Sequence, residues 1–166
     1  SGVSARVTTY GYDGGKLRTL TDAEGFTRYF WYDNAGRQTH DYYKRIKSDG
    51  TYAANYDGVL TSYDALGRAT QKWQSTHNGS TWVDSGPRAV TTYNAFGETA
   101  SVAVGGRTQT QNKFDAAGRI WATTSGDGVW KYLGYDKNGN QTVAITSAGY
   151  NLANKTFNQA KGLISR

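Results

Sequence analysis

The stretch Tyr32-Asp33-Asn34-Ala35-Gly36-Arg37 is the pattern that decides the fold of this 166-residue chain. An Asp in this position accepts hydrogen bonds from the backbone that follows it, and a Gly three residues later adopts the left-handed conformation that returns the chain. The phrase therefore predicts a tight turn. Tyr32 would end one strand, and Arg37 would begin the next.

The phrase recurs in phase along the sequence. Full copies are Tyr63-Asp64-Ala65-Leu66-Gly67-Arg68, Tyr93-Asn94-Ala95-Phe96-Gly97-Glu98, Phe114-Asp115-Ala116-Ala117-Gly118-Arg119 and Tyr135-Asp136-Lys137-Asn138-Gly139-Asn140. Tyr12-Asp13-Gly14-Gly15-Lys16 is a copy shortened by one residue, and we expect Phe157-Asn158-Gln159-Ala160-Lys161-Gly162 to begin a further copy with one residue added. Asn94, Glu98 and Asn140 depart from the consensus.

A second turn signal lies between successive copies. It consists of Asp22-Ala23-Glu24-Gly25, Val104-Gly105-Gly106, Ser125-Gly126-Asp127-Gly128 and Ser147-Ala148-Gly149. Residues 26–32 and 129–135 are aromatic and β-branched runs of strand length. Each unit thus predicts strand, turn, strand, turn. The fold class that follows is all-β, an antiparallel sheet of about a dozen short strands and hairpins with no helices of note.

Two units are about ten residues longer than the others. Tyr32 to Tyr63 spans 31 positions and Tyr63 to Tyr93 spans 30, against 21 from Phe114 to Tyr135. Asp49-Gly50 and Asn78-Gly79 lie in the excess and are strong two-residue hairpin signals. We therefore expect two lengthened hairpins, at about 42–57 and 73–84, lying side by side.

These features predict a domain organisation in three parts. Residues 1–9 form a lead-in strand whose first two residues have the composition of an expression-tag remnant, residues 10–162 form the repeat sheet, and residues 163–166 are a truncated end.

The chain has no Cys, which excludes disulfides, thiolate catalysis and cysteine-ligated zinc. Its two His residues lack the spaced partners of a triad or metal site, so we expect no catalytic residues, no cofactor and no metal.

The net charge of +6 is spread over single basic residues, with one cluster at Lys44, Arg45 and Lys47. We therefore expect no nucleic-acid binding. No apolar run is long enough to span a membrane, so we expect no membrane insertion.

The candidate binding residues are aromatic. A two-residue turn at Asn78-Gly79 would make Trp73 and Trp82 diagonal neighbours on one face, and one at Asp49-Gly50 would place Tyr43 opposite Tyr56. Such pairs form either a platform for stacking on a sugar ring or a staple that holds the hairpin together. Lys44, Arg45 and Lys47 would attract acidic glycans.

The recurring phrase resembles the YD repeats of the Rhs family over roughly residues 10 to 162. That family includes bacterial Rhs polymorphic toxins, the C component of Tc toxins, wall-associated proteins and teneurins. The resemblance implies a β-sheet that spirals into a hollow shell, which in the toxins encloses an effector, and YD repeats are also linked to carbohydrate binding. An Asp-Pro-x-Gly element of the kind that precedes self-cleavage is missing from this sequence.

The resemblance leads to three expectations for function. The first is a non-enzymatic segment of the wall of a larger secreted or cell-surface protein, with neighbouring repeats or further copies as partners through the sheet edges. The second is a carbohydrate-binding module that uses the long hairpins, with a polysaccharide as partner. The third is a self-associating adhesion piece.

Overall fold

The computed structural model describes residues 6–146 and 154–164. The predicted turn at Ser147-Ala148-Gly149 and the last two residues of the predicted C-terminal end lie outside these residues, as do the first five positions of the lead-in strand. The chain divides into two compact units, Ser1–Arg88 and Ala89–Arg166.

Each unit consists of antiparallel strands that pair with their neighbours in sequence. Unit 1 contains β1 Thr9–Asp13, β2 Lys16–Thr21, β3 Thr27–Tyr32, β4 Gln38–Ile46, β5 Tyr52–Tyr63, β6 Ala69–His77 and β7 Trp82–Asp84. Unit 2 contains β8 Ala89–Tyr93, β9 Thr99–Val104, β10 Arg107–Phe114, β11 Ile120–Thr124, β12 Trp130–Tyr135 and β13 Gln141–Thr146. The predicted all-β antiparallel fold class is confirmed.

The Asp of the repeat builds each turn through both its backbone and its side chain. In the copy at Asp33, the Asp33 N–H donates to the Arg37 carbonyl at 2.9 Å, and the Gly36 N–H donates to the Asp33 carbonyl at 2.9 Å. The Arg37 N–H donates to Asp33 Oδ1 at 2.9 Å, and the Arg37 guanidinium donates to Oδ2 at 2.7 Å. Gly36 has a φ of 82°, which a residue with a Cβ adopts only under strain.

The copies that depart from the consensus keep this geometry with different chemistry. Asn94 Oδ1 accepts the Glu98 N–H at 3.0 Å, and the Asn94 amide donates to Glu98 Oε2 at 2.7 Å. In the last copy the Asn140 amide donates to Asp136 Oδ2 at 3.0 Å. The side-chain pair is thus retained while its charge changes, because Asn94 supplies the donor that Arg supplies in the consensus.

A β-bulge follows the turn at the same position of each copy. Thr39, Thr70 and Thr142 are the extra residues in three of these bulges. Their hydroxyls donate to the carbonyls of Trp31, Ser62 and Gly134 at 3.3–3.4 Å. Because a bulge adds one residue to one strand, it increases the local twist of the hairpin.

Successive copies are joined by a set of contacts that we call the repeat ladder. In unit 1 the Arg37 guanidinium lies 5.0 Å from the ring centroid of Tyr63 and donates to the carbonyl of Asp64 at 2.9 Å. The Tyr63 hydroxyl donates in return to the carbonyl of Gln38 at 2.7 Å. The Arg of one copy is therefore bound to the aromatic residue and the turn of the next.

Unit 2 contains an equivalent rung. Arg119 lies 4.8 Å from the Tyr135 ring centroid and donates to the Asp136 carbonyl at 3.4 Å. The Tyr135 hydroxyl donates to the Ile120 carbonyl at 2.7 Å. The same residue types at the same repeat positions thus form the same contacts in both units.

The predicted further copy at Phe157-Asn158-Gln159-Ala160-Lys161-Gly162 is wrong, because Phe157–Ile164 forms a helix, α1. Thr156 and Gln159 form a capping box in which the Gln159 N–H donates to Thr156 Oγ1 at 3.3 Å and the Thr156 N–H donates to Gln159 Oε1 at 2.9 Å. Lengthening the phrase by one residue removes the Asp-x-x-Gly spacing, and the capping box starts a helix in its place.

Helix α1 covers part of unit 2. Ala160 joins Ala122, Trp130, Tyr132 and Ile145 in a buried apolar cluster. Phe157 packs over Gly134, where a Cβ would lie 3.1 Å from the Phe157 ring atom Cε2 and closer still to Cζ. Gly134 is thus a residue whose missing side chain makes room for the helix.

The two lengthened hairpins are present and lie side by side as β4–β5 and β6–β7, but their predicted two-residue turns are wrong. Around Asp49-Gly50 the Lys47 N–H donates to the Thr51 carbonyl and the Gly50 N–H to the Lys47 carbonyl, which is the hydrogen-bond pattern of the repeat turn. Asn78-Gly79 lies in a longer loop, since Trp82 pairs with His77. The Asp and Asn side chains add bonds to later backbone amides, which favours these longer turns.

These turns change the register of both hairpins. Tyr43 pairs with Asp57, and Tyr56 pairs with Lys44, so Tyr43 and Tyr56 lie on opposite faces. Asp84 pairs with Ser75 instead of Trp73, so Trp82 is displaced two residues along β6 from the predicted position. The predicted neighbours Trp73 and Trp82 are therefore separated along the strand.

The ladder gives a direct stability prediction. Replacing Tyr63 by Phe removes the hydroxyl that donates to the Gln38 carbonyl while retaining the ring beneath Arg37. We expect Y63F to lower the free energy of unfolding by about 0.5–1.5 kcal/mol in chemical denaturation, the usual net contribution of one hydrogen bond. Tyr12 is 67% exposed, so Y12F serves as the matched control. Equal stabilities of the two variants would contradict the role of the hydroxyl.

Candidate functional site

One face of unit 1 gathers aromatic side chains from strands β3 to β7. Cross-strand pairing places Trp31 opposite His40, and His77 opposite both Tyr56 and Trp82. Together with Tyr42 these residues line a half-open cavity of about 410 Å³. We call this set, Trp31, His40, Tyr42, Tyr56, His77 and Trp82, the aromatic basin.

The rings of the basin contact one another at tilted or edge-to-face angles. Trp82 is at the centre of the set, with its ring centroid 5.6 Å from His40, 5.5 Å from Tyr42 and 5.2 Å from His77. Tyr42 is 5.5 Å from Tyr56 at an interplanar angle of 78°. Steep angles between neighbouring rings are a favourable arrangement for aromatic pairs. The basin is therefore held in shape by its own rings.

A glycine forms the floor beneath Trp82. Gly58 lies between Tyr42 and Ser75 in the sheet. A Cβ at this position would be 2.7 Å from Tyr42 Cβ and 3.1 Å from Trp82 Cη2. Because real Cβ contacts are longer than this, any larger residue at position 58 would displace the indole. The absence of a side chain at Gly58 is what lets Trp82 fold over the strand.

Burial favours the uncharged forms of His40 and Tyr42 in the basin. Burial lowers the pKa of His40 below its usual value of 6.5. Burial raises the pKa of Tyr42, and a hydrogen bond from Trp31 Nε1 to the Tyr42 hydroxyl at 2.7 Å opposes that shift. Beside the basin, Lys44 Nζ lies 5.4 Å from the Tyr56 ring centroid. The lining of the basin thus includes no carboxylate, and one lysine lies beside it.

The opposite face of unit 1 carries paired charges instead. Arg28 binds Asp41, and Arg45 binds Asp57 at 2.6 Å. Hydrogen bonds from Arg45 and Thr76 lower the pKa of Asp57. Tyr43 lies on this face, with its ring 5.2 Å from Phe26. The alternation of side chains along each strand thus separates an aromatic face from an ion-paired face.

The structure divides the predicted glycan-binding residues between four places. Trp82 and Tyr56 lie in the basin with Lys44 beside them, whereas Tyr43 and Arg45 lie on the opposite face and Lys47 lies in the β4–β5 turn. Trp73 lies outside the basin, with the Arg88 guanidinium 4.2 Å from its ring centroid.

Sequence reasoning missed four residues of the basin, namely Trp31, His40, Tyr42 and His77. The sequence does show that Trp31 and Tyr42 are aromatic residues in strand segments. They join the site only through the register of β3 with β4 and β4 with β5. This register depends on the lengths of the loops between the strands, so the site could be predicted only if those loop lengths were known.

Two further observations concern metal-binding groups and membrane-spanning helices. Within residues 6–146 and 154–164, no group of three or more His, Asp or Glu side chains is placed to hold a metal ion. Across the same ranges, no helix has the length and apolar character needed to cross a bilayer.

No protein-family model and no curated protein matches this sequence. Among solved structures, the chain is similar to TcdB2-TccC3 without its hypervariable C-terminal region, with 15% identity, a TM-score of 0.43 and coverage of 88% of this chain. It is also similar to the Photorhabdus luminescens Tc holotoxin pore, with 15% identity, a TM-score of 0.42 and 86% coverage. The chain spans about 9% of the length of each. These neighbours are Tc toxin chains, a group that the sequence repeat resembles.

The basin gives a pH prediction. The unfolded chain protonates His40 near pH 6.5, whereas the folded chain does so only at lower pH. Unfolding therefore takes up a proton between these values, and stability falls as the pH drops below about 6.5. We expect the free energy of unfolding to decrease from pH 7 to pH 5 in the native protein and to decrease less in H40F, measured by denaturant titration. Identical pH profiles for the two proteins would contradict the buried, neutral His40.

Proposed function

We propose that this chain is a non-enzymatic segment of the wall of a larger, exported Rhs-type protein. The repeat ladder is the observation that supports this proposal. Each rung binds the turn of one copy to the next, so the contacts favour extension of the array rather than closure around a central core.

The distribution of buried residues agrees with a wall. Among the described residues of unit 1, Phe30 and Leu60 are the two hydrophobic side chains that are buried, at 8% and 7% exposure. A domain that folds around its own core buries many more side chains. Stability in unit 1 comes instead from cross-strand and rung contacts, which suits a sheet that is covered by other parts of a larger protein.

The edge strands at the two ends of the array allow the wall proposal to be tested. In the described part of the chain, β1 pairs with β2 alone and β13 pairs with β12 alone. Each therefore presents one row of unpaired backbone groups. Neighbouring repeats of a longer chain, or further copies of this one, would pair with these edges.

We expect amide hydrogen exchange, read by mass spectrometry at low protein concentration, to be faster in β1 and β13 than in β4 and β11. Protection of the edges that rises with protein concentration would show that copies pair through them, as the proposal allows. Edge amides as slow as the interior ones in a dilute monomer would contradict the proposal, because the edges would then already be covered.

Carbohydrate binding is a second candidate function, and the aromatic basin is the observation that favours it. A cavity of about 410 Å³ falls within the usual size range of small-molecule sites, roughly 300–1,000 Å³. Trp31 is 57% exposed and can offer its ring to a ligand. The residues that line the basin include no carboxylate, and Lys44 lies beside Tyr56. These properties suit a sugar ring that bears an acidic group.

Tryptophan fluorescence titration against neutral and acidic polysaccharides tests this candidate. We expect saturable quenching that persists at moderate salt, and we expect W31A and W82A each to weaken binding at least about tenfold, as loss of an aromatic anchor does. Trp73→Phe is the matched control. Its indole lies outside the basin, and its Nε1 is buried without a hydrogen-bond partner in the described residues.

The outcomes separate the two functions. Quenching that W82A leaves unchanged would place the ligand elsewhere, and no quenching by any polysaccharide would reject the carbohydrate candidate. Neither result bears on the exchange rates of the edge strands, so the wall proposal stands or falls independently.

A further inference from the structure

The tip of the β6–β7 hairpin places three polar groups around one side-chain amide. The loop residues Asn78 and Gly79 are exposed, and Gly79 has a φ of 98°. The backbone nitrogen of Gly79 is the atom that can attack the Asn78 side chain to close a five-membered imide. Gly is the residue that hinders this attack least, because it has no Cβ.

The first group is a base on the attacking nitrogen. The Gly79 N–H donates to His77 Nδ1 at 3.2 Å. This hydrogen bond assigns the imidazole proton to Nε2 and leaves the lone pair of Nδ1 facing the Gly79 amide proton. His77 is held in this position by its ring contacts with Trp82 at 5.2 Å and Tyr56 at 6.5 Å.

The other two groups are donors on the oxygen of the amide under attack. Asn78 Oδ1 accepts the N–H of Ser80 at 3.0 Å and the N–H of Thr81 at 3.0 Å. Two backbone donors on one carbonyl oxygen polarise the carbon and stabilise negative charge as it develops, as in an oxyanion hole.

We propose that Asn78 is a site of self-catalysed deamidation. The Gly79 nitrogen bonds to Asn78 Cγ while its proton passes to His77 Nδ1, and the Ser80 and Thr81 amides hold the oxyanion. The imidazolium then returns the proton to the side-chain nitrogen, the Cγ–N bond breaks, and ammonia leaves. Water opens the resulting imide at either carbonyl to give aspartate or isoaspartate, so the sequence consumes one water and needs no other reactant.

The reaction would place a carboxylate next to His77, which lines the aromatic basin. As the protein ages, this reaction would therefore add negative charge at the edge of the cavity. The inference rests on the hairpin geometry alone and does not depend on the proposed function.

A second Asn-Gly pair in the same chain is the matched internal control. The Gly139 N–H donates to the backbone carbonyl of Asp136 at 3.1 Å, and this acceptor is not a base at neutral pH. Asn138 has the same neighbouring glycine but no imidazole on the attacking nitrogen. The difference between the two sites therefore measures the combined effect of His77 and of the two backbone donors on Asn78 Oδ1.

The experiment is incubation of the folded protein at neutral pH, followed by proteolysis and mass spectrometry. Residues 73–88 form one tryptic fragment, with Asn78 as its one Asn. We expect a mass increase of about 1 Da in this fragment, with isoaspartate among the products, at a rate about a hundredfold above that at Asn138, the lower end of general-base contributions. Asn78 reacting no faster than Asn138, or giving aspartate alone, would overturn the proposal.

His77→Phe tests the base directly, since Phe retains a ring against Trp82 and Tyr56. We expect the rate at Asn78 to fall in H77F toward that at Asn138, while the circular dichroism spectrum remains that of the native protein. An unchanged rate in folded H77F would overturn the role of His77. If H77F does not fold, the comparison of the two Asn-Gly sites in the native protein still decides the proposal.

Discussion

The structure depends on one recurring interaction, in which a side-chain carboxylate or amide at the start of each turn binds the backbone four residues later. At Asp33, Asp64 and Asp115 the backbone N–H of the following Arg is the largest cause of a lowered carboxyl pKa. The same carboxylates also bind the Arg side chains. That second contact fixes the guanidinium, which is then positioned to reach the next copy. The turn and the ladder are therefore consequences of the same Asp.

This arrangement explains how a chain with few buried side chains maintains long strands. Unit 1 has few buried apolar side chains. Its strands are stabilised by the rungs of the repeat ladder, by the ion pairs on one face and by the ring contacts on the other face. Unit 2 differs, because α1 covers Ala122, Tyr132 and Ile145, which belong to a buried apolar cluster. The aromatic basin of unit 1 combines large rings, a glycine beneath Trp82 and an open cavity.

The sequence predicted those features that depend on local spacing. The phrase beginning at Tyr32 is enough to predict the turn, the antiparallel strands and the fold class, because each of its residues acts within five positions. The phrase beginning at Phe157 fails for the same reason, since one added residue removes the spacing of the turn, and the capping box of Thr156 and Gln159 starts a helix instead. The basin could not be predicted, because the pairing of Tyr42 with Gly58 and of Trp82 with His77 depends on loop lengths at Asp49 and Asn78, and a shift of one residue moves Tyr43 and Tyr56 to opposite faces.

If the repeat ladder holds successive copies together, the Arg of one copy and the aromatic residue of the next are energetically coupled. A double-mutant cycle on Arg37 and Tyr63, with R37A, Y63A and the double variant compared by denaturant unfolding, measures this coupling directly. We expect a coupling free energy of about 0.5–1 kcal/mol, the magnitude of a partly exposed cation–π contact. Strictly additive effects of the two substitutions would contradict it, because the rungs would then not join one copy to the next.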